Sequence, residues 1–201
     1  CGVPPGPAAL ALAQAVSAQP RLHFAGLQAY HGSAQHLRSA AERRVAIVHA
    51  VQAAADTRTL IEAAGLPVPL VTGSGTGTLV HEAASGVYGE LQAGSFLFMD
   101  ADYAANEREG AQPAFEHALF VKTQVISARP THVVCDAGHK SHAIDSGLPL
   151  VWGLPPERDL RYANGGDEHG VLHAAGPKAR LPALGRMLWL VPGHCDPTVN
   201  L

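Results

Sequence analysis

The chain has 201 residues, 47% of them hydrophobic, which is enough for one full core or two small ones and unlike a disordered segment. A net charge of −3 with only 14 Lys plus Arg leaves no basic stripe for phosphates, so neither nucleic acid nor a charged membrane surface is expected as a partner. The apolar stretches are broken by His, Gln and Gly well short of the ~20 residues that cross a bilayer, and no membrane span is expected.

Cys1, Cys135 and Cys195 form an odd, widely spaced set that does not read as a disulfide framework and fits a reducing, cytoplasmic location. No Met precedes Cys1, and Gly2-Val3-Pro4-Pro5-Gly6-Pro7 reads as a loop leaving a strand. The chain is therefore expected to be the later part of a longer protein. Ala8 to Ala18, Ala/Leu-rich and ending before Pro20, predicts a short helix. Arg21 to Tyr30 carries the apolar run Leu22–Leu27 of a buried strand. Ser33 is placed to cap a long helix from about Ala34 to Ala64, with Leu37, Ala41, Val45 and Val48 on one face and Gly65 and Pro67 as its stop. Val68 to Thr72 reads as a second strand, residues 73–78 as a turn into a helix through about Ala84, and Gly89 to Met99 as a third strand.

This alternation is that of a parallel α/β sheet. From about residue 111 the texture changes. Ala118–Ser127 and Thr131–Asp136 are short strands between Gly/Pro turns, as in a mainly antiparallel β domain. The expected division is thus 1–110 and 111–201.

In parallel α/β folds, sites form where loops leave the carboxyl ends of strands. Two such loops carry chemistry. Gly73-Ser74-Gly75-Thr76-Gly77 combines unshielded backbone N–H groups with two hydroxyls, a cradle for a monophosphate; it lacks the endings that mark ATP or dinucleotide loops. An ordinary tight turn is the alternative. Gln28-Ala29-Tyr30-His31-Gly32-Ser33-Ala34-Gln35-His36 offers an amide (Gln28), a phenol (Tyr30) and two imidazoles (His31, His36) able to act as acid or base near neutrality. In the β domain, the run Leu188–Leu201 brings His194 and Asp196 two positions apart. On extended backbone these share a face and could grip one divalent cation, with Cys195 pointing away. A buried histidine bonded to a carboxylate would give the same pattern. Glu168 or His169 is a candidate to orient the His194 ring.

Five segments in order carry a resemblance: Gly26–Gly32, Thr72–Gly77, Gly89–Asp100, Asp136-Ala137-Gly138 and Pro192-Gly193-His194-Cys195-Asp196-Pro197-Thr198-Val199-Asn200-Leu201. Together they resemble the D-threonine aldolase and D-serine dehydratase family. The resemblance implies a (β/α)8 barrel of alanine-racemase type, here its later strands only, followed by a β domain. It implies pyridoxal 5'-phosphate, with Thr72, Gly73, Ser74, Gly75 and Thr76 at the phosphate and Gln28 and Tyr30 facing the cofactor. It also implies a divalent metal on His194 and Asp196; the catalytic base would be a nearby histidine such as His31 or His36, or a metal-bound water. A carboxylate at 196, where dehydratases of the family have a thiolate and zinc, favours a harder cation and agrees with the aldolase branch, for which the resemblance implies Mn ahead of Zn or Mg.

The implied reaction is retro-aldol cleavage of D-threonine-like D-β-hydroxy-α-amino acids to glycine and an aldehyde, by a homodimer when full length. The alternatives are a D-serine or D-3-hydroxyaspartate dehydratase, a silent fragment binding a phosphate ligand or partner, and a cofactor-free metal hydrolase. One departure is plain: the family's Schiff-base lysine belongs to a first barrel strand that nothing here matches, and Lys122, Lys140 and Lys178 all lie in the β domain. The chain alone is expected to be inactive, and the β domain is expected to continue past Leu201.

Overall fold

The computed structural model describes residues 2–110, 112–155 and 159–201. Cys1 and residue 111, at the expected domain boundary, lie outside them. The chain forms two compact units, Cys1–Gly94 with Asn106–Pro113, and Ser95–Ala105 with Ala114–Leu201.

The first unit is parallel α/β. Helix α1 (Pro7–Ser17) begins on Pro7, whose fixed φ suits a first helical turn. The strands are shorter than their apolar runs suggest: β1 is Leu27–Gln28, β2 Val71–Gly73 and β3 Glu90–Leu91, hydrogen-bonded in that order and all parallel. Leu22 and His23 are exposed, and Ser95–Leu97 is a 3-10 turn in the second unit. Helix α3 is Leu79–Ser85.

The expected long helix is divided. Gly32–His36 forms a 3-10 turn, and α2 (Ala40–Ala63) starts after Ser39, not Ser33. Its buried face is also different: Val45 and Val48 are exposed, whereas Arg43, Ile47, Ala54, Thr57 and Ile61 face inward. These five return to one side of a helix of 3.6 residues per turn. Ala54 and Ile61 join Ala13, Val68 and Val71 in the core of this unit. Arg43 is 1% exposed, its two terminal guanidinium nitrogens donating to the backbone carbonyls of Leu37 at 2.5 Å, Arg38 at 2.9 Å and Glu107, while its buried Nε has no hydrogen-bond partner among the described residues. Those bonds hold the entry to α2 and the 106–113 segment on one side chain.

The second unit contains helix α4 (Ala101–Ala104) and six strands: β4 (Val121–Ala128), β5 (Val133–Cys135), β6 (Leu150–Val151), β7 (Leu160–Asn164), β8 (Gly170–Ala174) and β9 (Met187–Val191). Helix α5 (Cys195–Val199) follows β9. The sheet order is β6-β9-β4-β5-β8-β7, antiparallel throughout, and the edge strands β6 and β7 come beside each other, so the sheet nearly closes on itself. Alternate residues point inward, as in β9, where Leu188 and Leu190 are buried while Met187 and Trp189 are not. Val125, Val133, Cys135, Leu160, Tyr162 and Leu172 complete the core.

His142 is fully buried in this unit, its Nε2 3.2 Å from the Tyr162 hydroxyl. That hydroxyl donates to Ala137 O at 2.7 Å, and His142 Nδ1 lies 3.3 Å from Ala143 O. Burial lowers the His142 pKa and pushes the Tyr162 phenol up to about 12.

A lowered histidine pKa means the unfolded chain binds the proton more readily than the fold does. The stabilisation is therefore complete above the ordinary histidine range and is lost as pH falls through it. Urea-unfolding midpoints should drop between pH 7.5 and 5.5 by less in His142→Gln than in the parent chain. Arg43→Met, which strips three carbonyls of their donor, should cost on the order of 3 kcal/mol in the same measurement.

Candidate functional site

In the first unit, the loops after β1 and β2 leave the same edge of the sheet, since Leu27 and Gln28 pair with Val71 and Thr72. Gln28, Thr72 and Glu90 stand in one row across the strands. The Gln28 amide is bonded reciprocally to that of Gln92, at 2.6 and 3.0 Å, and the Thr72 hydroxyl donates to Glu90 Oε1 at 2.8 Å. Tyr30 is 45% exposed, its ring beside the second loop: a Cβ built on Gly75 would lie 3.2 Å from it and 2.5 Å from Gln35 Oε1. Only a glycine allows that approach.

The loop itself is buried from Gly73 to Thr78, with Ser74 at φ +73° in the left-handed region. Ser74 Oγ donates to Gly75 O at 3.4 Å and also bonds the Glu82 carboxyl, and no Lys or Arg lies between Gly73 and Thr78. Gln35, which sequence reasoning passed over, braces the loop. Its Oε1 accepts from Gly77 N–H at 3.1 Å and its Nε2 donates to Thr78 Oγ1 at 2.8 Å, so Gly77 is committed to the protein. Thr78 in turn donates to Glu82 Oε1 at 2.9 Å. Glu82 is buried, and burial raises its pKa. The backbone from Thr72 to Gly75, with Ser74 and Thr76, would be the part of the loop to hold a phosphate monoester.

The histidines of the first loop differ. His31 is half-buried at the entry to the 3-10 turn, with Ser33 Oγ 3.3 Å from its Nδ1; His36, at the end of that turn, is exposed.

The second unit carries His194 and Asp196, and here the extended-strand reading needs correction. Strand β9 ends at Val191. His194 is still extended (φ −142°, ψ 128°), but Asp196 lies in the first turn of α5, so a helical turn presents the exposed carboxylate. Cys195 is turned inward, 2% exposed. Burial and the nearby Asp100 charge push its thiol up to about 12, which keeps it neutral.

The segment is fixed from below by Asp100, itself fully buried, which accepts from Tyr103 N–H at 3.0 Å and Cys195 N–H at 2.9 Å. Beside His194, the ring Nδ1 lies 2.8 Å from Asp145 Oδ2 and 3.2 Å from Ser146 Oγ. Burial raises the Asp145 pKa, but the bonds from His194 and Ser146 outweigh it and hold the carboxyl below its ordinary value.

Glu168, one of the two candidates with His169 for orienting the ring, lies 3.4 Å from Lys140 Nζ, and His139 pairs with Asp167 at 2.9 Å. Nothing in the spacing of the sequence signalled Asp145. Among the described residues, no group of three or more His, Cys, Asp or Glu side chains is placed to hold a metal ion. His194 and Asp196 would be the imidazole and carboxylate donors to an ion at this segment.

Residues 118–201 match the family model described as "Putative serine dehydratase domain". Over its whole length the chain is 48% identical to a D-threonine aldolase of Arthrobacter sp. and 42% identical to a 3-hydroxy-D-aspartate aldolase of Paracoccus denitrificans, covering 52% of each. The crystal structure of a D-threonine aldolase from Filomicrobium marinum superposes with a TM-score of 0.89 at 44% identity, over 100% of this chain and 53% of that one. The chain thus spans about half the length of the curated relatives it matches. No helix among the described residues is long and apolar enough to cross a membrane. Along its full length the chain is thus similar in sequence to D-threonine and 3-hydroxy-D-aspartate aldolases and in fold to a D-threonine aldolase, and its residues 118–201 carry the serine dehydratase domain.

Proposed function

We propose that the chain is the later part of a pyridoxal-phosphate- and divalent-metal-dependent aldolase. It cleaves D-threonine-like D-β-hydroxy-α-amino acids to glycine and an aldehyde, works as a homodimer in the cytoplasm, and uses Mn in preference to Zn or Mg. Its parallel strands are a segment of a (β/α)8 barrel, with the division between barrel and β domain near residue 110. The observation that carries this reading is the 48% identity to a D-threonine aldolase along the entire chain.

In this reading, Ser74, Thr76 and the backbone from Thr72 to Gly75 hold the cofactor phosphate, braced by Gln35, while Gln28 and Tyr30 orient the ring. Pyridoxal phosphate supplies an electron sink for the pair released from the Cα–Cβ bond. His194 and Asp196 hold the divalent ion, which supplies a Lewis acid for the substrate β-hydroxyl. Its proton goes to an imidazole of this chain, His31 or His36.

The covalent anchor for the cofactor is not among these residues. Lys140 lies within 3.4 Å of the Asp167 and Glu168 carboxylates and Lys122 Nζ lies 5.7 Å from the Trp189 ring centroid, both in the second unit. In this reading the lysine that anchors the cofactor comes from the part of the enzyme outside this chain.

In the full-length protein with D-threonine, pyridoxal phosphate and Mn²⁺, acetaldehyde should be detected by a coupled NADH assay together with equimolar glycine. A keto acid with ammonia would replace the aldolase reading by the dehydratase one. Asp196→Ala should lower kcat/KM at least 100-fold, a loss of roughly 2.7 kcal/mol in transition-state stabilisation. Asp196→Cys should shift the metal giving most activity from Mn²⁺ toward Zn²⁺, since a thiolate is the softer donor.

A further inference from the structure

A histidine can offer a metal either ring nitrogen, and the bond made by the other one decides which. His194 Nδ1 faces Asp145 Oδ2 at 2.8 Å, and a carboxylate only accepts, so the ring proton sits on Nδ1. Ser146 Oγ, 2.9 Å from the same Oδ2, donates to it and keeps that oxygen in place.

The segment bearing Asp145 is pinned to the His194 segment on both sides. Ahead of it, Ala143 N–H donates to Thr198 Oγ1 at 3.0 Å, and that hydroxyl donates to His194 O at 2.6 Å. Behind it, Gly147 packs against Gly193 so closely that a Cβ on Gly193 would fall 2.1 Å from Gly147 O. One residue before Ala143, buried His142 is tied to Tyr162. The carboxylate is thus delivered to the ring by backbone, not left to a flexible side chain.

We propose that Asp145 is a positioning residue that fixes the tautomer and orientation of His194, so that Nε2 is the atom presented to the divalent ion. The proposal rests on the reading of His194 as a metal ligand. Asp145 itself does not touch the ion; it acts through the imidazole, and it raises the donor strength of Nε2 by holding negative charge on the far side of the ring.

Two measurements on the full-length protein decide it, each made on the parent, Asp145→Ala, Asp145→Asn, Asp145→Glu and His194→Ala. The first is the Mn²⁺ dissociation constant, read from the EPR signal of free Mn²⁺. The second is the His194 tautomer in the metal-free protein, read from long-range ¹H–¹⁵N correlations with ¹⁵N-histidine.

The parent ring should be protonated at Nδ1. Asp145→Ala should shift the ring toward the Nε2-protonated form and weaken Mn²⁺ binding 10–100-fold. Asp145→Asn, whose amide oxygen can still accept, should keep Nδ1–H and lose less affinity. Asp145→Glu should recover part of it. Parent-like Mn²⁺ affinity in Asp145→Ala, with His194→Ala strongly impaired, would overturn the positioning role and leave the metal reading intact. Unchanged Mn²⁺ binding in His194→Ala would instead remove the metal reading and the proposal with it, whatever the tautomer.

Discussion

The second unit depends on one buried carboxylate. Asp100 begins α4 by accepting Tyr103 N–H, and with its other oxygen it takes Cys195 N–H, the first amide of α5. Two helix starts, distant in sequence, thereby share one side chain, each contributing an amide that no intrahelical carbonyl could satisfy. The backbone repeats the connection on either side, with Ala101 N–H on Pro192 O at 2.9 Å and Asp102 N–H on Gly193 O at 3.2 Å. Burial raises the Asp100 pKa despite those two bonds, so the tie has an electrostatic cost and persists because so many partners converge on it. Everything proposed for His194 and Asp196 presupposes that this tie holds their backbone still.

The first unit solves a similar problem with neutral or delocalised groups. Gln35 stitches the glycine loop to α3 through Gly77 and Thr78, and Asn106 Nδ2 donates back to Gln35 O at 2.9 Å. Arg43 then collects the carbonyls on either side of that segment. Irregular backbone, rich in polar groups without ladder partners, is tolerated inside the unit because long side chains reach in to satisfy it. The two units reach the same end by different chemistry: a loop made rigid enough to serve as a site.

What could be read in advance follows from the range over which each signal acts. The order of strands and helices in the first unit, and the change to antiparallel strands in the second, were visible because hydrophobic runs and Gly/Pro breaks are local. The inward face of α2 was not. In an Ala-rich helix the valines at 45 and 48 looked like the core side, whereas the deciding residue, Arg43, is a charged one whose burial depends on carbonyls contributed by Glu107. The His194/Asp196 pair was legible as a motif, but its geometry was not: Pro197 stands at the third position of a helix, and the local pattern gave no warning that the turn begins at Cys195. Asp145 was invisible in principle, being 49 residues from His194 in an unremarkable polar loop. Pairings of that length belong to the tertiary structure alone.

Cys195 gives the arrangement a property of a different kind. Its thiol is enclosed, neutral to about pH 12, and flanked in sequence by the two residues proposed to hold the ion. In the closed state it is inert to alkylating reagents, because the reactive species is the thiolate and reagents cannot reach it. It becomes available only when α5 lifts from Asp100. Its rate of modification therefore reports how often that segment opens, and a ligand that braces His194 and Asp196 would register as slower labelling of the residue between them.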